Sequence, residues 1–160
     1  MKDALVIGFG NTLRSDDGVG VWIADKIADL EIPGVDVRTC HQLNVDLAAD
    51  IAEYKKVVCI DASSDGNPVA YRQCKSEAPS LLPNGHNIGP EALARMAYEL
   101  YGATITFNLF TVRGESFEFG HTLSPSVENS ARRAVNAIAA FLRQQSSAIS
   151  NMPLFSTETV

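Results

Sequence analysis

Apolar residues fall into short blocks separated by polar stretches, and the blocks switch between two periods. Leu5-Val6-Ile7 followed by Gly8-Phe9-Gly10 is an unbroken apolar run ending in glycines, the pattern of a parallel strand covered on both faces. A polar loop, Asn11 to Gly18, leads into Val19, Ile23, Ile27 and Leu30 at helical spacing, with Asp16 or Asp17 placed to cap that helix. Pro33-Gly34 ends the unit. Val35-Asp36-Val37-Arg38 then alternates like a strand nearer the sheet edge. Leu43, Leu47 and Ile51 predict a second helix capped by Asn44, and Lys56-Val57-Val58-Cys59-Ile60-Asp61 reads as a central strand with a carboxylate at its end.

The next connection carries topological information. Only Ala62 to Pro68 separates this strand from Val69-Ala70-Tyr71-Arg72-Gln73-Cys74, whereas a parallel crossover needs roughly a dozen residues or more. The fourth strand is therefore expected to run antiparallel. The stretch 76–87 has no clear period; at about 3.3 Å per residue it is long enough to climb back along the sheet. Pro90 opens a helix with Leu93, Met96, Ala97 and Leu100 on one face, and Gly102 closes it. Thr104 to Val112 is β-branched and aromatic, a fifth strand. Ser124-Pro125 caps a last helix whose buried stripe is Val127, Ala131, Ala134, Val135, Ile138 and Leu142. The expected fold is α/β, a three-layer α/β/α sandwich on a mixed five-stranded sheet with one antiparallel strand. It forms a single domain over residues 1–145 with a polar C-terminal tail at 146–160.

Composition narrows the class. The chain has 160 residues, enough for one core and too few for two full domains. Thirteen Lys+Arg against nineteen Asp+Glu give a net charge of −6, which argues against a nucleic-acid backbone or an anionic membrane as partner. No apolar stretch approaches the length of a membrane span, and the N-terminus runs straight into a strand rather than a secretory signal. Cys40, Cys59 and Cys74 are odd in number and form no CxxC pair, which fits a reducing cytoplasm and no zinc knuckle.

Ligands of open α/β sheets bind beyond the carboxyl ends of the strands. Asp17 follows the first strand, Asp61 ends the third, and His86 precedes the helix that starts near Pro90. Two carboxylates and an imidazole can hold nickel or zinc with positions left for water or substrate. Each also has a plain alternative: a helix cap for Asp16 or Asp17, a loop carboxylate bonding backbone amides for Asp61, an exposed loop residue for His86 or His121. Gly8-Phe9-Gly10 lacks the third glycine of a dinucleotide fingerprint, since Leu13 stands there, and neither a P-loop nor GxSxG occurs. No organic cofactor is expected.

Gly8-Phe9-Gly10-Asn11-Thr12-Leu13-Arg14-Ser15-Asp16-Asp17-Gly18-Val19-Gly20 resembles the opening signature of the [NiFe]-hydrogenase maturation endopeptidases. Ile60-Asp61-Ala62 resembles their second acidic block, and Gly85-His86 before a helix resembles the third, in the same order over roughly residues 3 to 145. The resemblance implies an α/β/α sandwich of strand order 2-1-3-5-4 and a hydrolase, a cytoplasmic protease. It would remove the C-terminal extension of a hydrogenase large-subunit precursor after nickel has been delivered to that precursor. It also implies that Asp17, Asp61 and His86 contact the nickel carried by the substrate and are the catalytic residues. The first position is often Glu in relatives; here it is Asp, one methylene shorter, with Asp16 beside it. Where many members have a glycine-rich loop after strand two, this chain has Thr39-Cys40-His41-Gln42-Leu43, so Cys40, His41 and Gln42 are expected to face the substrate. Two rival readings are a non-catalytic nickel-binding checkpoint protein and a small-molecule metallohydrolase on the same fold.

Overall fold

A computed structural model describes residues 1–74 and 88–144. Five strands form one sheet: β1 (Lys2–Phe9), β2 (Val35–Cys40), β3 (Tyr54–Ser63), β4 (Val69–Cys74) and β5 (Thr106–Arg113), in the order β2-β1-β3-β5-β4. β1 pairs in parallel with β2 and β3, β3 with β5, and only β4 runs antiparallel, against β5. That reversal is the one expected from the short 62–68 connection. The link turns at Gly66, which the Arg113 side chain ties to β5 by donating to its carbonyl at 2.9 Å.

Helices α1 (Val19–Asp29), α2 (Leu47–Ile51), α3 (Pro90–Tyr101) and α4 (Pro125–Arg143) cover the two faces. Side chains of a strand alternate between faces, so each central strand feeds two cores. Val6, Val58, Ile60, Phe110 and Val112 pack under α1 and α4 with Val19, Ile23, Ile27, Val127, Ala134 and Ile138. Leu5, Ile7, Val57, Cys59, Phe107 and Leu109 pack under α2 and α3 with Ile51, Leu93 and Ala97. Asn108, buried mid-strand in β5, donates to the Val57 carbonyl and accepts from the Tyr71 hydroxyl, fixing β4 and β3 to β5.

Several expected details differ. Leu30 lies outside α1 and Leu100 near the end of α3, and both are exposed. Phe141, absent from the expected stripe of α4, is buried against Tyr71 and Phe110. Thr104 and Ile105 precede β5 rather than belonging to it. Neither Asp16 nor Asp17 caps α1, whose N-cap is Gly18. Asn44 is not the cap of α2 but stands two residues before its N-cap, Asp46, whose N–H its side-chain oxygen accepts at 3.0 Å. The stretch 75–87 and the tail 145–160 lie outside the described residues, so the expected climbing segment and the domain boundary at 145 do too. Among the described residues no helix is long and apolar enough to cross a membrane.

Candidate active site

The carboxyl ends of β1 and β3 sit side by side, with Gly8 opposite Ile60 in register. The start of α1 rests directly on them. A Cβ on Gly20 would fall 2.3 Å from the Ile60 carbonyl oxygen and 2.7 Å from that of Phe9, so only glycine permits the approach. The loop between β1 and α1, which closes in a 3-10 turn at Ser15–Gly18, is thereby held over the end of β3.

Within that loop Asp17 is half-buried and Asp16 is 0% exposed. Asp17 accepts the Asn11 N–H on Oδ2 at 2.8 Å. Asn11 turns its own side chain to the Leu13 N–H at 2.9 Å, so it shapes the loop and orients the carboxylate together. Gly10 makes the bend possible. Its φ of +143° lies where L side chains are strained, and a Cβ there would stand 2.0 Å from the Asp17 carbonyl oxygen. Gly10→Ala is expected to displace Asp17 while leaving the two cores intact. Turnover at this site should fall about 100-fold, the cost of a misplacement of about 1 Å; unchanged turnover in a variant with a wild-type circular dichroism spectrum would remove Gly10 from this role.

Asp61, half-buried at the end of β3, accepts the Ala62 N–H on Oδ1 at 2.8 Å. Its carboxyl pKa is pushed up to about 6, first by burial and then by the negative charge of Asp17, against the pull of the Ala62 N–H. The two aspartates, 44 positions apart in the chain (61 − 17), are thus near enough to repel. Each keeps one carboxylate oxygen with no hydrogen-bond partner among the described residues. This pair can bind a cation or share a proton. His86 lies outside the described residues. Among those described, no group of three His, Cys, Asp or Glu side chains is arranged to hold a metal.

Asp16 has a different task from its neighbour. Its two oxygens accept four hydrogen bonds: Glu115 N–H and Ser116 N–H at 2.9 Å, Ser124 N–H at 2.7 Å and the Ser124 hydroxyl at 2.8 Å. Burial alone would raise its pKa, but those donors outweigh it and hold the carboxyl below its ordinary value. The Ser124 hydroxyl, expected to cap α4, is spent on this bond instead, and no side chain caps that helix. Further bonds run beside it: Ser15 N–H to the Gly120 carbonyl, Gly120 N–H to the Leu13 carbonyl, and the Ser15 hydroxyl to the Glu118 carbonyl. The loops at 11–18 and 114–124 therefore form one platform. The 114–124 loop carried no motif of its own; its role shows only once the fold brings Asp16 and Ser124 together across 108 positions.

Cys40 ends β2, half-buried, and its carbonyl accepts the Gly10 N–H at 3.2 Å. Burial pushes its thiol pKa up. His41 and Gln42 follow it and are exposed. His121 is exposed on the other flank, edge-on to Phe119. Cys59 is buried in the core with its thiol pKa raised chiefly by desolvation.

No family model and no curated protein matches the sequence. Solved structures do match the fold. A hydrogenase 2 maturation peptidase from a thaumarchaeon is 26% identical with a TM-score of 0.69, over 88% of this chain and 98% of that one. The hydrogenase-maturating endopeptidase HybD from E. coli is 25% identical with a TM-score of 0.69, over 88% and 92%. A [NiFe] hydrogenase maturation protease, HycI, from Thermococcus kodakarensis has a TM-score of 0.71 at 22% identity, over 89% and 94%.

Proposed function

We propose that the chain is a [NiFe] hydrogenase maturation protease, like the solved structures it resembles at 25–26% identity, and that it cuts the C-terminal extension from a nickel-loaded [NiFe] hydrogenase large-subunit precursor. The observation that carries this reading is the pair Asp17 and Asp61, distant in sequence and mutually repelling at the carboxyl edge of the sheet, each with an oxygen turned to no partner among the described residues. Two such anions side by side favour a cation between them.

In this reading nickel arrives as part of the substrate. Asp17, Asp61 and His86 contact it, and the contact sets the scissile bond beside the acids. Recognition then depends on the metal, because a precursor without nickel lacks the anchor. Hydrolysis needs an activated water. Either the metal polarises the carbonyl or the water, or a carboxylate takes the proton. Asp61, with a pKa about 6, has the proton affinity that suits a base near neutral pH. Cys40, His41 and Gln42, next to Gly10, meet the client on one side of the acids.

The test is incubation of the full chain with nickel-loaded and nickel-free precursor, followed by the mass of the large subunit. Shortening of the loaded form alone is expected. Equal cutting of both forms would remove the metal's role in recognition. Tight binding of the loaded form without cutting would instead make the protein a checkpoint.

A further inference from the structure

A second feature of the same sheet edge is not used by the two acids. Beyond the end of β5 lies a cleft of about 280 Å³, whose lining includes Arg113, Arg133, Ser126, Asn129 and Ser130 together with one carboxylate, Glu115. Arg113 spends one nitrogen on the Gly66 carbonyl, and Arg133 one on the Ser130 hydroxyl at 3.3 Å. Among the described residues neither guanidinium forms an ion pair. Arginines 38, 72, 95 and 132 each have a carboxylate partner, so these two guanidiniums keep charge that those four spend. Two guanidinium groups in the lining of one cleft, with hydroxyl and amide side chains beside them, supply the donors that suit a carboxylate.

Its place relative to the acids matters. Asp61 stands opposite Thr111 in the β3–β5 register, and Arg113 opposite Ser63. Arg113 therefore starts roughly 7 Å further along the strand direction and one strand spacing, about 4.8 Å, to the side, and the cleft, walled by α4, lies across the carboxyl edge of the sheet from the α2–α3 face to which Asp61 belongs. A few residues of extended client chain cover that span at about 3.3 Å each.

We propose that the Arg113–Arg133 cleft binds a carboxylate of the client segment on the C-terminal side of the scissile bond. This rests on the reading of the protein as a C-terminal processing protease. The ligand is either an acidic side chain of that segment or its terminal carboxylate, and the cleft holds the segment in place while the acids act on the bond upstream.

The test pairs binding with turnover. A synthetic peptide of the excised segment is titrated into the full chain, and the Arg113 and Arg133 side-chain Nε–H resonances are followed by NMR. The same peptide is used with an amidated C-terminus and, separately, with its acidic residues replaced by amides. Both arginine resonances should shift on binding. Loss of the shift with the amidated form assigns the terminal carboxylate; loss with the side-chain amides assigns an acidic residue. Shifts unchanged with both modified peptides, or no arginine shift at all, would overturn the proposal. In processing of nickel-loaded precursor, Arg113→Gln with Arg133→Gln should raise KM about tenfold with kcat nearly unchanged, the scale of one lost charge-assisted bond, and Arg→Lys at both positions should recover part of it. An unaltered KM in a folded double variant would also sink the cleft. Failure of the unaltered enzyme to cut any loaded precursor would sink the protease reading instead, while the NMR titration still decides the cleft.

Discussion

Asp61→Asn is expected to abolish processing and, at the same time, to make the fold more heat-resistant. The carboxyl is held at about 6 against an ordinary value of 3.8, through burial and the Asp17 charge. A carboxyl whose pKa is raised in the folded state favours folding fully below the unfolded value, and that contribution is lost as pH rises through the folded one. Above pH 6 the wild type therefore carries a charge it would rather neutralise, at a cost of about 3 kcal/mol for roughly two pKa units. Asn removes the charge and keeps an oxygen for the Ala62 N–H. Its melting temperature at pH 8 should exceed that of wild type by about 5 °C or more for a chain of this length. The difference should shrink as pH falls through 6 toward 3.8 and vanish well below 3.8, where the wild-type acid is protonated in both states. Turnover should fall by at least about 1000-fold, as expected when a metal contact or proton acceptor is lost. A variant that is inactive and no more stable at pH 8 would show that Asp61 is not held under electrostatic tension.

Asp16→Ala should have the opposite effect on stability. It leaves the Glu115, Ser116 and Ser124 N–H groups and the Ser124 hydroxyl facing a hole. Each buried donor left unpaired costs about 1–3 kcal/mol, so the sum after local relaxation is about 4 kcal/mol. Here the folded carboxyl pKa is depressed, so its contribution is present above the ordinary value and is lost as pH falls through the folded one. The gap in denaturation midpoint between wild type and variant should be full at pH 7 and narrow in acid. A loss below about 1 kcal/mol at pH 7 would mean that water replaces the carboxylate without penalty. The adjacent Asp17→Asn should cost little stability by comparison, since Asp17 accepts one bond where Asp16 accepts four.

That contrast between neighbours marks where reading the sequence stops. The apolar runs of β1 and β3 and the short 62–68 connection settle strand positions and the single reversal, because a burial period and a crossover length are local properties. Asp61 and Asp17 can be placed at the sheet edge by the same reasoning. Which of Asp16 and Asp17 faces outward cannot be read locally. It depends on donors 99 to 108 positions away, in a loop with no pattern of its own. Ser124 has the local signature of a cap, a Ser before Pro at a helix start, yet its hydroxyl turns to a partner no window around it contains. Leu30 and Leu100 obey the helical period but are exposed near their helix ends, where periodicity no longer reports burial. The strand order required the family resemblance, since connection lengths alone allow several neighbours for β5.

The bonds that join residues 13–16 to 115–124 also have an evolutionary consequence. Neither stretch can drift alone, because every change of backbone path on one side must be mirrored on the other. Across homologues the two should covary in length and sequence as a unit, and chimaeras made to redirect client choice should exchange both together; transplanting either by itself would leave the graft without its counterpart.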